Sequence, residues 1–293
     1  VKWLALVVAL VACHKKTHYE NLDHDKAKGV FEEVPVEAPP GLSGLALDDH
    51  DVLWAVPERD RFLVQIALTG ATATTKLYPI EGVPDGVDTE GLAYLGDNIF
   101  AISTEGQHEP TAGVLFATLG NDKVVVTRSR ALTSQELGVE LVANKGAEGA
   151  CGRGNDVLIA IETVGTFPDG SRWAPIARLV DGKLTVAKLR LTSDVGKISS
   201  LDCAIDPDGT ARVYAIERHY GVSRILRFDT KPGDTEITPR VTLDLSPILN
   251  DSLNLEGIVL RRDGRLVAVV DNQSATIDGP NELLVFGPGV GTR

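Results

Sequence analysis

TEGLAYLGDNIFAISTE, Thr89 to Glu105, consists of two apolar runs joined by a Gly96-Asp97-Asn98 turn and closed by an acid. Short runs rich in Val, Ile, Leu and Ala between turn formers have the period of strands, so the segment reads as a β-hairpin. Four further copies follow the same plan: GLSGLAL…LWAVPE (Gly41 to Glu58), AEGACG…VLIAIE (Ala147 to Glu162), SLDCAI…VYAIE (Ser200 to Glu217) and LEGIVL…LVAVVD (Leu255 to Asp271). Their matching positions Gly44, Gly91, Gly149, Asp202 and Gly257 lie 47, 58, 53 and 55 residues apart. That is the spacing of a propeller blade.

Third strands are predicted from Phe62, Gly113, Trp173, Ser223 and Asn281, and fourth strands from Thr72, Lys123, Lys183 and Ile237. The fifth repeat lacks a fourth strand, and the segment Val30 to Val36 can supply it, since a ring closed by the opposite terminus leaves no bare edge. The fold class is therefore all-β: a single β-propeller of four-stranded antiparallel blades, closed by an N-terminal strand. Five blades are counted. A sixth would have to lie in Arg130 to Lys145, where SQELGVEL reads better as a short helix or insertion. Trp54 and Trp173 are expected to pack between blades.

Ahead of the repeats, Val1-Lys2-Trp3 leads into an apolar run, Leu4 to Ala12, ending at Cys13. One charge, a short hydrophobic stretch and small residues before Cys form a secretory signal. With no Met in the chain, Val1 reads as the product of a non-ATG start. Leu10-Val11-Ala12-Cys13 resembles a bacterial lipobox, so residues 1–12 are expected to be a lipoprotein signal peptide, Cys13 the lipidation site, 13–29 a polar tether and 30–293 the domain. His14 after Cys13 points to outer-membrane sorting. The expected location is the cell envelope, with the membrane reached through the acylated Cys13 alone.

Twenty-nine basic against forty-one acidic residues give a net charge of -12, which repels nucleic acid and anionic lipid surfaces. Cations and neutral small molecules stay open as ligands, and the chain reads as a monomer. An exported location permits a Cys151–Cys203 disulfide, but their different offsets from the repeat Gly favour two buried thiols.

In a propeller the first strand of each blade lines the axis. Ser43, Glu90, Glu148, Leu201 and Glu256 lie at or before its start, and Glu58-Arg59, Glu105, Glu162, Glu217-Arg218-His219 and Asp271-Asn272 end the second strands. Adjacent antiparallel strands bring both sets to one mouth of the ring. Crowded carboxylates must raise their pKa values, pair with Arg, Lys or backbone N–H groups, or admit cations. Glu90, Glu148, Glu256, Asp271 and Asn272 are the candidate metal ligands, and this oxygen set suits Ca2+. Glu217, His219, Glu256 and Asp271 are the candidate catalytic groups, with His219 able to act as acid or base near neutrality. No Gly-x-Ser-x-Gly elbow, HExxH, paired CxxC, P-loop or dinucleotide Gly pattern is present, so any chemistry must come from the assembled mouth.

Four phrases, GLSGLAL, DTEGLAYL, ISSLDCAIDPDG…VYAIERHYG and NLEGIVLRRDGRLVAVVDN…NELLVF, run in order from Gly41 to Phe286 and resemble the phytase-like family, also described as having esterase-like activity. The resemblance implies an exported bacterial propeller and hydrolysis of small carboxylic or phosphoric esters. Glu90, Glu217, Glu256, Asp271 and Asn272 match its recurrent polar positions. Leu201-Asp202 replaces a Glu-Gly pair, which breaks a complete acidic ring. The absence of a Lys-rich mouth argues against highly phosphorylated substrates. A non-enzymatic propeller that binds a ligand or an envelope protein is the competing class, because the fold serves both.

Overall fold

In the computed structural model, residues 29–219, 221–248, 254–272 and 280–288 are described, together with the backbone of 17–18 and 277–278. The expected signal, Cys13 and most of the tether lie outside them. Within the tether, Thr17 and His18 pair in parallel with Ile277 and Asp278.

Five four-stranded antiparallel units are present among the described residues. From axis to rim, the first blade is Leu42–Leu47, Leu53–Pro57, Phe62–Thr69 and Thr72–Glu81. The second is Val87–Gly96, Ile99–Gly106, Ala112–Leu119 and Val124–Leu132. The third is Ala147–Arg153, Asp156–Ile161, Arg172–Val180 and Lys183–Arg190. The fourth is Lys197–Ile205, Ala211–His219, Val222–Thr230 and Arg240–Asp244. The fifth is Asn254–Leu260, Leu266–Asp271 and Asn281–Phe286, completed at the rim by Phe31–Val36. That last pairing runs antiparallel from Phe31 opposite Phe286 to Val36 opposite Asn281, and it closes the ring as the sequence predicts.

The core consists of five apolar layers, one per junction between blades. Leu45, Val64, Val259 and Leu283 fill the junction between fifth and first blades. Trp54, Leu63, Leu92 and Phe100 fill the next, and Trp173, Ile159, Val114 and Phe116 the one after. Leu158, Ile176, Val213 and Leu226 join third to fourth, and Ile216, Ile225, Leu266 and Leu284 join fourth to fifth. Both Trp residues lie at junctions, as expected. The segment expected to hold either a helix or a sixth blade contains the helix Ser134–Leu137, capped by Thr133 and Glu136, with Leu137 buried in the layer between second and third blades. No sixth blade forms there among the described residues; 130–132 end the second blade's outer strand and Val142 pairs with Lys145 in an isolated bridge.

The axis is tight. A Cβ added to Gly91 would lie 2.2 Å from the carbonyl oxygen of Glu148, and one added to Gly149 would lie 2.6 Å from the amide of Leu201. Glycine is therefore required by close backbone approach rather than by backbone conformation. Cys151 and Cys203, at the far ends of adjacent inner strands, form a disulfide with Cα atoms 5.6 Å apart. Their offsets from the repeat Gly differ, yet the side chains meet. The fourth inner strand is displaced along the axis so that Ser200, not Asp202, stands beside Gly149.

Candidate metal centre

Every inner strand carries a β-bulge at the same height. The register with the second strand slips between Leu42 and Gly44, Thr89 and Leu92, Ala147 and Ala150, Ile198 and Ser200, and Leu255 and Gly257. The residues carried by these bulges are Ser43, Glu90, Glu148, Ser199 and Glu256. Bulges re-aim side chains and favour the neighbourhood of sites. All five are buried. Three carboxylates and two hydroxyls thus form one ring of polar groups around the axis. Ser199 takes the place the sequence assigns to Leu201, because the bulge of the fourth inner strand falls two residues earlier than its apolar pattern implies.

Two residues before the bulge, on the same strand or just ahead of it, stand Gly41, Asp88, Gly146, Lys197 and Asn254. Opposite them at the ends of the second strands are Glu58, Glu105, Glu162, Arg218 and Asp271, through backbone contacts or register pairs such as Asp88 with Glu105, Lys197 with Arg218 and Asn254 with Asp271. The fourth blade therefore contributes Arg218, not Glu217, to this level.

Glu217 is one residue out of step, and side chains one apart on a strand face opposite ways. Its buried carboxylate is occupied elsewhere. Oε1 accepts from the Ser193 amide at 3.0 Å and the Ser193 hydroxyl at 2.6 Å, and Oε2 from the Thr192 amide at 3.0 Å and the Thr192 hydroxyl at 2.5 Å. It organises the loop 192–196. Asn272 likewise braces the ring: its Oδ1 accepts from the Gly41 amide at 2.7 Å, tying fifth blade to first. Asp271 accepts from Asn254 Nδ2 at 3.0 Å, and Asn254 also donates to Glu256 Oε1 at 2.8 Å. Glu256 is ion-paired with Arg218. His219 ends its strand opposite Val222, and burial, followed by the positive charges of Lys197 and Arg218, lowers its pKa.

The expected ligand set is thus divided. Glu90 and Glu148 belong to two different groups, while Asp271 and Glu256 Oε1 are engaged by Asn254 and Arg218, and Glu256 Oε2 is buried without a hydrogen-bond partner. The first group is Glu58, Asp88 and Glu90, and the second is Glu105, Glu148 and Glu162. In each, one carboxylate oxygen per residue lies within 4.8 Å of the others. Asp88 and Lys197 are the positions the sequence reading missed. Each lies two residues before a bulge residue, so strand alternation is the signal that could have found them.

In the first group, Gln107 Nε2 donates to Asp88 Oδ1 at 2.6 Å and Ser43 Oγ donates to Glu90 Oε2 at 3.0 Å. The other oxygens, Asp88 Oδ2 and Glu90 Oε1, are buried with no hydrogen-bond partner. A buried acceptor left unmatched is costly, and an anionic one more so. Burial first, and then the charges of Glu148, Glu105, Glu58 and Glu256, push Glu90 well above the carboxylate range. Burial also raises Glu105, Glu148 and Glu256 to about 7 each, against lowering by the Gly146 amide at Glu105, by Lys197 at Glu148 and by Arg218 at Glu256. Against these acids the mouth sets the buried cations Lys197 and Arg218 and the exposed Arg59, which stands 3.7 Å from Glu58.

The opposite end of the ring opens into a separate cavity of about 590 Å³, walled by the disulfide, Tyr94, Arg153 and Arg262.

Residues 28–163 match the family model described as SdiA-regulated, a stretch running from the closing strand to the end of the second strand of the third blade. This is not the phytase-like description that the sequence phrases suggest. No curated protein matches the chain. Among solved structures, the PQQ-bound aldose sugar dehydrogenase of Streptomyces coelicolor is similar at 10% identity, covering 88% of this chain and 98% of that one, with a TM-score of 0.47. Regucalcin of Agrobacterium tumefaciens, a calcium-binding protein, is similar at 14% identity over 88% of this chain and 94% of its own, also with a TM-score of 0.47. Virginiamycin B lyase of Staphylococcus aureus reaches 10% identity, 88% and 99% coverage and a TM-score of 0.44. Similarity at these levels says nothing about chemistry.

Proposed function

We propose that the mouth is a divalent-cation centre held by Glu58, Asp88 and Glu90, and that it serves hydrolysis of small uncharged carboxylic esters or lactones. The observation that carries the cation site is the pair of buried, unmatched oxygens, Asp88 Oδ2 and Glu90 Oε1, on two members of a three-carboxylate cluster. All donors are hard oxygens, with no His or Cys among them, which suits calcium better than zinc or copper. An ion there would still have positions open to water or substrate.

A cation bound there supplies Lewis acidity toward a carbonyl oxygen. The chain's own part is to hold the ester beside it and to take a proton from water. Glu148 suits the second task, since it is buried at the mouth and forms no side-chain hydrogen bond among the described residues. Anionic phosphoesters fit less well, because Arg218 and Lys197 are already paired with Glu256 and Glu162. Export to the cell envelope and anchoring through an acylated Cys13 belong to the same reading. The Cys151–Cys203 disulfide supports export, because such bonds persist in oxidising compartments.

Calorimetric titration with Ca2+ tests the centre, and Glu90→Gln should weaken binding at least about tenfold, as loss of one charged ligand does. Assay of short neutral esters and lactones, with Ca2+ and with chelator, tests the activity. Glu148→Gln should retain the cation and lose turnover. A protein that binds no divalent cation sinks the centre. One that binds Ca2+ yet turns over none of these substrates is a ligand- or partner-binding propeller instead.

A further inference from the structure

Four of the five junctions between blades repeat one arrangement, in which a residue at or next to the end of a second strand faces the residue two before the bulge of the next blade. At the other, fourth to fifth, Arg218 pairs with the bulge residue Glu256 itself. Between first and second blades the shared arrangement places Glu58 beside Asp88, acid against acid. Between second and third it places Glu105 against the Gly146 amide, which donates to Oε2 at 2.8 Å. Between third and fourth it places Glu162 against Lys197, in an ion pair. Between fifth and first, the Asn272 carbonyl oxygen takes the Gly41 amide.

Lys197 belongs to the second carboxylate group as much as to its own blade. Glu105, Glu148 and Glu162 converge as closely as Glu58, Asp88 and Glu90 do, all three are buried, and Glu148 lends its side chain to no hydrogen bond among the described residues. The Lys197 side chain is only 19% exposed, and its ammonium pairs with Glu162. Its charge is felt at Glu148 and Glu105 as well. In the first group Arg59, 61% exposed, stands 3.7 Å from Glu58, while one oxygen each of Asp88 and Glu90 stays buried and unmatched.

We infer that Lys197 is a tethered cation: its ammonium occupies the second carboxylate group in the role a free divalent ion fills at the first, so the mouth takes one ion and not two. The second group is a cation site in its own right, closed by a side chain of the protein. This rests on the proposed cation centre for the identity of the first site only. The local geometry at Lys197 stands without it.

Counting bound Ca2+ by calorimetry and native mass spectrometry on the full chain tests the inference. Wild type should bind one ion, Lys197→Gln two, and Lys197→Arg, which keeps a positive charge, one. In the background of Lys197→Gln, Glu162→Gln should remove the added ion and leave the first. The added site should fall in the weak range of about 10⁻⁴–10⁻³ M typical of exported calcium modules. Asp88→Lys supplies the reciprocal arm. A lysine at the first junction should abolish the wild-type site and raise the melting temperature measured in chelator.

Two ions in wild type, or no gain in Lys197→Gln, overturns the inference. Should Lys197→Gln fail to fold, the wild-type count decides, since two ions there are incompatible with an occupied second group. No ion in wild type and one in Lys197→Gln would remove the proposed centre at Glu58, Asp88 and Glu90 while leaving Lys197 in the role assigned to it.

Discussion

At the scale of single residues, the difference between Glu217 and Arg218 decides what the fourth blade contributes. Both end an apolar strand beside an acid-rich mouth, and Glu217 matches the acids that end the other repeats. One step along a strand changes the face, however, and Glu217 is buried where two amides and two hydroxyls use both its oxygens. Glu217→Gln would turn an NH2 group toward donors that already point inward. The expected cost is about 1–3 kcal/mol in urea unfolding, the price of leaving buried polar groups unmatched. Cation binding per folded molecule should be unchanged. The strand's apolar pattern does not show this, because Glu217 and Arg218 both follow it and only the register, Lys197 opposite Arg218 and Ile198 opposite Glu217, decides which one faces the mouth.

At the scale of elements, the inner strands were legible as strands, and the Gly96-Asp97-Asn98 turn lies where the sequence places it. The bulges were not. A bulge is a mismatch between two strands, so neither strand's own pattern records it. The fourth repeat shows the effect: its Ser199-Ser200 pair holds the place of Glu-Gly, and Asp202 lies further along, accepting from the Leu260 amide at 2.8 Å. Gly91→Ala should be among the most damaging single substitutions, because its methyl group meets backbone and cannot be relieved by a side-chain shift. A loss above about 4 kcal/mol, or failure to accumulate as folded protein, is expected. Reduction of Cys151–Cys203 opens a constraint spanning 52 residues and should cost about 2–4 kcal/mol. Thermal melts with and without reductant at equal pH provide the comparison.

For the whole molecule, the repeat spacing and the missing outer strand together pointed to five blades and to closure by Val30 to Val36, and both features are present. The polar centre was only half legible. The sequence could say that acids gather at one mouth, but not how they sort into groups, which depends on stagger between neighbouring blades. Gathering them has a consequence for stability. Glu105 and Glu148 ordinarily titrate near 4.5 but are raised to about 7 in the fold, chiefly by burial. Between those values the folded chain holds protons that the unfolded chain has released, so stability falls as pH rises through this window. In chelator, the melting temperature should drop from pH 5 to pH 8. Added Ca2+ should recover most of the loss at pH 8 and little at pH 5, because ligand binding stabilises only the form able to accept it. Equal calcium shifts at both pH values would count against a carboxylate centre.

The rim pairing of Phe31–Val36 with Asn281–Phe286 also bears on how the covalent connection relates to the shape. Since Phe31 lies opposite Phe286, the polypeptide enters and leaves the ring at neighbouring points, and a few residues of Gly and Ser would bridge them. A circular permutant opened at the Gly120–Lys123 turn should then retain native circular dichroism and the same calcium count. Its fifth blade would be continuous, and the seam would move to the second, where Ala112–Leu119 and Val124–Leu132 would be held together only by their ladder.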